Sequence, residues 1–269
     1  MDVFSNPSTS PKQTVVIDNT APGASITAPA AAGLYASSGT TYAATSNYPA
    51  EAAWSGAISG TASDATSGVQ SVAISIRRVS TGLYWNGASF ASAAELFQTA
   101  TGTSSWSLAF AAANFPAGGS YSVRAQTTDV AGNVATGSTS TFALDYDPAK
   151  AVFVNGATGA DGNDGLTPAT AKATIGAAVG IATNTRPLVA IVGGTYAGTV
   201  TISSGVADPT LLRGGYDTSF KRGGVGSNVV TINGTSGANP SGVLVTTFGA
   251  RLQQLTINSG TPSGAGSSA

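Results

Sequence analysis

The side chains that most enzymes use for acid–base and metal chemistry are scarce in this sequence. Its 269 residues include no histidine and no cysteine, and only 9% of them are charged. Histidine is the usual general base and the commonest zinc ligand, and cysteine supplies thiolate nucleophiles and disulfides. We therefore predict that the chain is not an enzyme, and we assign no catalytic residue.

The acidic residues of 151–269 also lack the grouping that polysaccharide-cleaving enzymes use. Those enzymes need paired carboxylates on one face, or carboxylates that hold calcium beside a basic side chain. The four acids here are Asp161, Asp164, Asp208 and Asp217, all in loop or turn contexts. Arg213 and Arg251 lie near strands but have no carboxylate close in sequence. A carbohydrate-degrading function would require catalytic coils outside this chain.

Oxygen ligands for calcium are the one cofactor signal. In the loop "DGNDG", Asp161, Asn163 and Asp164 supply three oxygen side chains close together. An EF-hand loop would also need a glutamate at its twelfth position, which is missing. The alternative is an Asx-turn loop that leads the chain into a helix, and this simpler interpretation is favoured.

A second set of oxygen ligands lies in the turns of the N-terminal half. Asp64, Asp129 and Asn133 could meet around calcium, and Asp18 and Asn19 are similar candidates. Ordinary turn chemistry is again the favoured alternative. No cofactor other than calcium is predicted.

The three tryptophans, Trp54, Trp85 and Trp106, are most simply explained by core packing. An exposed aromatic platform for sugar binding is the alternative. Tyr84 and Trp85, in "TGLYWNG", are its candidate residues.

The composition indicates where such a protein works. The charged fraction is far below the roughly 25% of ordinary domains, and Gly, Ser, Thr and Ala replace the missing charges. This surface suits a secreted wall, fibre or adhesin protein. The net charge is −1 without a basic run, which argues against nucleic-acid binding. No apolar stretch approaches the ~18 residues of a membrane span, so no membrane insertion is expected.

Residues 19–148 have the pattern of short strands between turns. One face of "SVAISIRRV" carries Val72, Ile74 and Ile76, and "SYSVRAQ" places Tyr121 and Val123 on one face. "STFALDY" adds a closing strand. Such alternation, with hardly any helical period, predicts a β-sandwich.

Residues 149–269 combine a helix with repeated strands. Thr167 is a predicted N-cap with Pro168 at the first helical position, and Ile175, Ala178, Val179 and Ala182 follow at helical spacing. "VTISSG", "VTINGT" and "LTINSG" then repeat one pattern. Their isoleucines, Ile202, Ile232 and Ile257, are separated by 30 and 25 residues. Stacking of equivalent strands would ladder these isoleucines in one core, as in a parallel β-solenoid, with the helix covering its first rung.

Two resemblances go with these patterns. "DNTAP", "SGTASDATSGVQSVAISI", "YSVRAQTTDVAGN" and "FALD" resemble the tandem immunoglobulin-like modules of bacterial surface proteins. "FVNGATGADGNDGLTPATAKATIGAAV", "LLRGGYDTSF" and "VVTINGTSG" resemble the first coils of right-handed β-helix proteins of the pectin-lyase-like superfamily. About three coils are expected. The resemblance implies an all-β chain: an immunoglobulin-like β-sandwich, then a right-handed parallel β-helix with a short capping helix.

Residues 1–18 fit the same scheme. Asp2 to Asp18 and Asp129 to Asp145 each span 16 residues, and the two stretches are offset by 127. Residues 1–18 are therefore predicted to be the last strand of a preceding module, or a free pairing strand.

Together these features predict a structural or adhesive protein of the bacterial cell surface or extracellular matrix. Its expected partners are neighbouring copies of itself in end-to-end fibres, adjacent modules of a longer chain, and surface glycans. The alternative is a polysaccharide-binding or polysaccharide-degrading β-helix protein.

Overall fold

The computed structural model describes residues 17–203, 210–236, 241–246 and 250–261. Within these ranges nearly all regular structure is β-strand, and α1 (Ile175–Val179) is the one α-helix. The all-β prediction is confirmed. Residues 1–16 of the predicted terminal strand, and Asp208, lie outside the described residues. In the described part of the chain, no helix has the length and apolar character needed to cross a bilayer.

The strands before residue 148 form two sheets. The smaller has the order β1-β4-β9, and the larger has the order β3-β2-β12-β10-β5-β6-β7, with β11 beside β10 and β8 beside β5. The strands are β1 (Gly23–Ala28), β2 (Leu34–Ala36), β3 (Ala52–Ala53), β4 (Ala57–Ser63), β5 (Val69–Arg78), β6 (Tyr84–Trp85), β7 (Phe90–Ser92), β8 (Gln98–Thr99), β9 (Ser105–Ala109), β10 (Gly119–Asp129), β11 (Val134–Thr136) and β12 (Ser140–Leu144). We call residues 17–148 the N-terminal unit.

The core of the N-terminal unit lies between these two sheets. β4 and β9 contribute Ile58 and Trp106, and β5 and β10 contribute alternate residues, including Ile74 and Val123. Every second residue of a strand points to the same face, so the alternation read from β5 and β10 places their apolar side chains in one layer. The predicted inward faces of both strands are confirmed, because these side chains are fully or almost fully buried.

The strands after residue 148 pair in parallel. Three sheets have the orders β13-β14-β17-β20, β15-β18-β21 and β16-β19. The strands are β13 (Ala151–Val154), β14 (Leu188–Val192), β15 (Gly194–Ala197), β16 (Val200–Ile202), β17 (Thr210–Tyr216), β18 (Val230–Asn233), β19 (Val243–Val245), β20 (Ala250–Gln253) and β21 (Leu255–Asn258). The chain visits the three sheets in the same order twice, first through β14, β15 and β16 and then through β17, β18 and β19. We call residues 149–261 the C-terminal unit.

The register of these sheets corrects the predicted isoleucine ladder. Ile232 pairs with Ile257, as predicted. Ile202, however, pairs with Val245 in a different sheet, and the residue before Ile232 in its own ladder is Tyr196. The prediction for Ile202 was wrong because "VTISSG" and "VTINGT" form strands of two different sheets. Their similarity in sequence does not show which sheet each strand joins.

The predicted helix is divided into two short pieces. Thr167 caps a 3₁₀ turn, Pro168–Thr170, through a capping box with Thr170, so the predicted cap is confirmed. The chain then leaves the helical conformation, because Lys172 forms a bridge with Val154 of β13. A second cap, Thr174, starts α1. The continuous helix was therefore a wrong prediction, although Ile175, Ala178, Val179 and Ala182 are all buried in the core of the C-terminal unit.

A third apolar cluster joins the two units. Leu34, Tyr48 and Tyr146 of the N-terminal unit pack with Phe153, Tyr216 and Phe220 of the C-terminal unit. Tyr146 lies edge-on to Phe153, with 5.0 Å between ring centroids. This shared core fixes the surroundings of the polar groups described next.

Candidate functional site

Three carboxylates from distant parts of the chain meet at one end of the N-terminal unit. One oxygen each of Asp18, Asp64 and Asp129 lies within 4.8 Å of the other two. Asp18 precedes β1, Asp64 follows β4, and Asp129 ends β10. In the described part of the chain this is the one group of three or more acidic side chains close enough to share a metal ion. The structure thus brings together two predicted ligands, Asp64 and Asp129, and the weaker candidate Asp18.

Hydrogen bonds hold this carboxylate cluster in place. Asn133 donates its side-chain amide to Asp129 Oδ2 at 2.8 Å and to the carbonyl of Asp18 at 3.0 Å. The backbone N–H of Ser67 donates to both Asp18 and Asp64. The predicted residue Asn133 therefore lies at the cluster and orients two of its members, whereas Asn19 is exposed to solvent.

The turn of residues 64–68 determines the ionisation of Asp64. The N–H groups of Gly68, Thr66 and Ser67 donate to its carboxylate and lower its pKa below the ordinary value. Asp129, by contrast, is fully buried. Three carboxylates so close together repel one another, and a hard divalent cation with oxygen ligands, such as calcium, would relieve this repulsion. The donor set fits that ion.

The side chains of the loop "DGNDG" form hydrogen bonds within the C-terminal unit. Asp161 accepts from the backbone N–H groups of Ala173 and Thr174 and from the Thr174 hydroxyl. Asp164 accepts from the N–H of Leu166 and from a threonine hydroxyl, and Asn163 donates to a backbone carbonyl. The N–H groups lower the pKa of Asp161 and Asp164. The bond from Leu166 to Asp164, two residues apart, has the Asx-turn pattern, whereas Asp161 binds Ala173 and Thr174 at the start of α1. Calcium binding here stays a prediction.

The candidate sugar-binding pair occupies two different environments. Trp85 is buried and packs edge-on against Phe110, with 5.0 Å between ring centroids. Tyr84 is half-buried, and the guanidinium of Arg77 lies 5.7 Å from its ring centroid. The packing role of Trp85 follows, while glycan binding at Tyr84 and Trp85 stays a prediction.

The strongest polar cluster was not predicted from the sequence. Glu51, in the loop before β3, binds two arginines of the C-terminal unit, Arg213 of β17 and Arg222. Arg222 Nη2 lies 2.7 Å from Glu51 Oε2, and Arg213 Nη1 donates to Glu51 Oε1. All three side chains are almost completely buried. The partners are separated by 162 and 171 residues, which is why proximity in sequence gave no indication of them.

A second carboxylate completes this junction cluster, which we define as Glu51, Asp145, Arg213 and Arg222. Asp145 Oδ1 accepts from the backbone N–H of Ser37, and Asp145 Oδ2 accepts from the Ser37 hydroxyl and the backbone N–H of Arg222. Burial is the main effect on the Asp145 carboxyl and raises its pKa above the ordinary value. Both acids thus belong to the N-terminal unit and both bases to the C-terminal unit.

Aromatic rings enclose the arginines of the junction cluster. The Tyr42 ring centroid lies 4.7 Å from the guanidinium carbon of Arg213 and 5.1 Å from that of Arg222. Tyr48 faces Arg213 at 5.5 Å. Guanidinium groups stack well on such rings and keep their hydrogen bonds in the plane. The segment 42–51 therefore holds both arginines of the C-terminal unit, through the two tyrosine rings and the Glu51 carboxylate.

The sequence was compared with known proteins. No protein-family model matches it, and no curated protein is similar to it. The resemblances to immunoglobulin-like modules and to right-handed β-helix proteins accordingly stay predictions.

Proposed function

We propose that the chain is a non-catalytic structural and adhesive element of a bacterial cell surface or extracellular matrix, in which two β-rich modules are fixed end to end. The observation that carries this proposal is the junction cluster. The buried ion pairs of Glu51 with Arg213 and Arg222 cross between the two units beside a shared apolar core, and together they resist bending between the units. Interfaces between domains of one chain are commonly more polar than obligate interfaces, and they permit the domains to move relative to each other. A spacer that transmits force needs an interface that does not permit such movement.

The proposed adhesive role depends on the surface of the C-terminal unit. Its last described strands present apolar side chains, since Leu244, Val245, Leu252 and Ile257 are each about 40% exposed. A further coil, or a strand from another copy of the chain, would cover these side chains and extend the parallel sheets. We propose end-to-end contacts at this surface.

We also propose that calcium binds the carboxylate cluster. The cluster links the start of the described chain, Asp18, to two loops of the N-terminal unit. An ion held there would stiffen the connection to any preceding module, as the junction cluster stiffens the connection to the following one.

Small-angle X-ray scattering, combined with light scattering, tests the structural proposal. We expect one scattering profile that matches a rigid two-unit particle and is independent of salt, because the junction charges are buried. End-to-end assembly predicts a particle mass that rises with concentration and filaments in negative-stain images. A profile that requires free movement between the units would refute the spacer role, and a monomer at high concentration would refute assembly.

A further inference from the structure

A cleft of about 570 Å³ opens between the two units, and no residue of either polar cluster lines it. The end of β5 and the start of β10 form one wall. Phe153 of β13 and the turn of residues 166–169 form the other, and Tyr146 lies between them. The volume is in the range of sites that hold small organic ligands.

The walls of this junction cleft are mainly apolar. Val79 and Leu166 both line the cleft and are 43% and 39% exposed, which is high for large aliphatic side chains. They come from different units. Pro168 adds further exposed apolar surface, whereas Phe153 lines the cleft but is already fully buried. A ligand with a hydrocarbon body would remove the exposed side chains, Val79, Leu166 and Pro168, from water, at roughly 25 cal/mol for each Å² buried.

Arg78 is the one charged residue among those lining the cleft. Its Nε atom is buried and has no hydrogen-bond partner among the described residues, and no described carboxylate forms an ion pair with it. The adjacent arginine is different, because Arg77 Nε donates to the carbonyl of Gly82 at 3.1 Å. The Arg78 side chain as a whole is only half-buried, and no hydrogen bond from its guanidinium to a described residue is seen, so the group is free to pair with an anion that enters the cleft.

We propose that the junction cleft binds a small monocarboxylic acid with an apolar body, whose carboxylate pairs with Arg78. A guanidinium presents parallel N–H donors that match the two oxygens of a carboxylate. A single positive charge suits a monoanion better than a phosphate ester or a polyanion, which would need more basic groups. The proposal adds a ligand site to the structural role and does not depend on it.

Calorimetric titration of the full chain with octanoate tests the proposal, with octan-1-ol as the neutral probe of similar length. We expect saturable binding of octanoate and binding of octan-1-ol that is about tenfold weaker or more. In ¹H–¹⁵N spectra, octanoate should shift the amide signals of Gly118 and Gly119, which line the cleft.

Two neighbouring arginines provide matched variants. Arg78→Gln should weaken octanoate binding about ten- to hundredfold, and Arg77→Gln should leave it unchanged. The Arg78 side chain has no hydrogen bond to lose, and its backbone bonds do not depend on the side chain, so the variant should keep the wild-type unfolding midpoint. If Arg78→Gln did not fold, Leu166→Asp would serve, because it adds a negative charge at the mouth and should also weaken binding about tenfold or more. Undetectable binding of octanoate to the wild type, or unchanged binding by both cleft variants, would overturn the proposal.

Discussion

Glu51 provides the sharpest test of how the two units are joined. Glu51→Gln keeps the size of the side chain but removes its charge, so the junction cluster changes from two acids and two bases to one acid and two bases. Removing one partner of a buried ion pair usually costs about 3–5 kcal/mol, because the remaining charge is left uncompensated. We expect a loss of this size, which corresponds to a shift of roughly 1–3 M in the urea midpoint.

The assay can separate the two units because all three tryptophans, Trp54, Trp85 and Trp106, lie in the N-terminal unit. Tryptophan fluorescence therefore reports on that unit, and circular dichroism reports on both. In the wild type the two unfolding curves should coincide, since the buried junction couples the units. In Glu51→Gln they should separate, because the coupling is weakened.

Glu95→Gln is the matched control. Glu95 is the only other glutamate in the sequence and pairs with Arg124 at 2.9 Å. Those side chains are 23% and 34% exposed, and a glutamine can still accept the hydrogen bond from the Ser75 hydroxyl, so the loss of this partly screened pair should cost less than the loss of the fully buried one. Adding Arg213→Met to Glu51→Gln restores the charge balance and should recover part of the stability. Equal effects of Glu51→Gln and Glu95→Gln, or coincident curves in Glu51→Gln, would refute the reasoning.

Three further predictions concern calcium, pH and glycans. Millimolar calcium should raise the free energy of unfolding of chelator-treated protein by about 2.7 kcal/mol at a hundredfold excess over Kd. Asp129→Asn should abolish this gain and Asp217→Asn should keep it, and no change on adding calcium would contradict the site. Burial raises the folded-state pKa of Asp145, so its contribution to stability is present below the ordinary aspartate pKa, near 3.9, and is lost as the pH rises through the folded-state value. Urea unfolding at several pH values should therefore show wild type losing stability relative to Asp145→Asn as the pH rises, and a difference that does not vary with pH would exclude this effect. Tyr84→Ala should abolish any signal that the wild type gives on a glycan array, and a signal that survives the change would place glycan binding elsewhere.

Local patterns were predictable from the sequence where a short stretch contains all the information. The inward faces of β5 and β10 follow from alternation, and the cap at Thr167 follows from its neighbours. The continuous helix failed because Lys172 pairs with β13, and the isoleucine ladder failed because the lengths of the corners between sheets decide which strands stack. Neither the pairing of Lys172 nor the stacking of the strands is visible in the local sequence of the residues concerned.

The sites were predictable to different degrees. Asp64, Asp129 and Asn133 were candidates because they are turn residues in a stretch that resembles calcium-stiffened surface modules, and the structure places them together with Asp18. The junction cluster was missed because its partners lie more than 160 residues apart.

The division of charge at the junction has a consequence for the separated halves. The N-terminal unit alone would keep Glu51 without its two arginines, and the C-terminal unit alone would keep Arg213 and Arg222 without the carboxylate that they share. Each fragment would therefore expose unpaired charge that is complementary to the charge on the other fragment. The linker keeps the two units close together, but the complementary charges and the shared apolar surface are what bind them. Fragments produced separately should therefore associate when they are mixed.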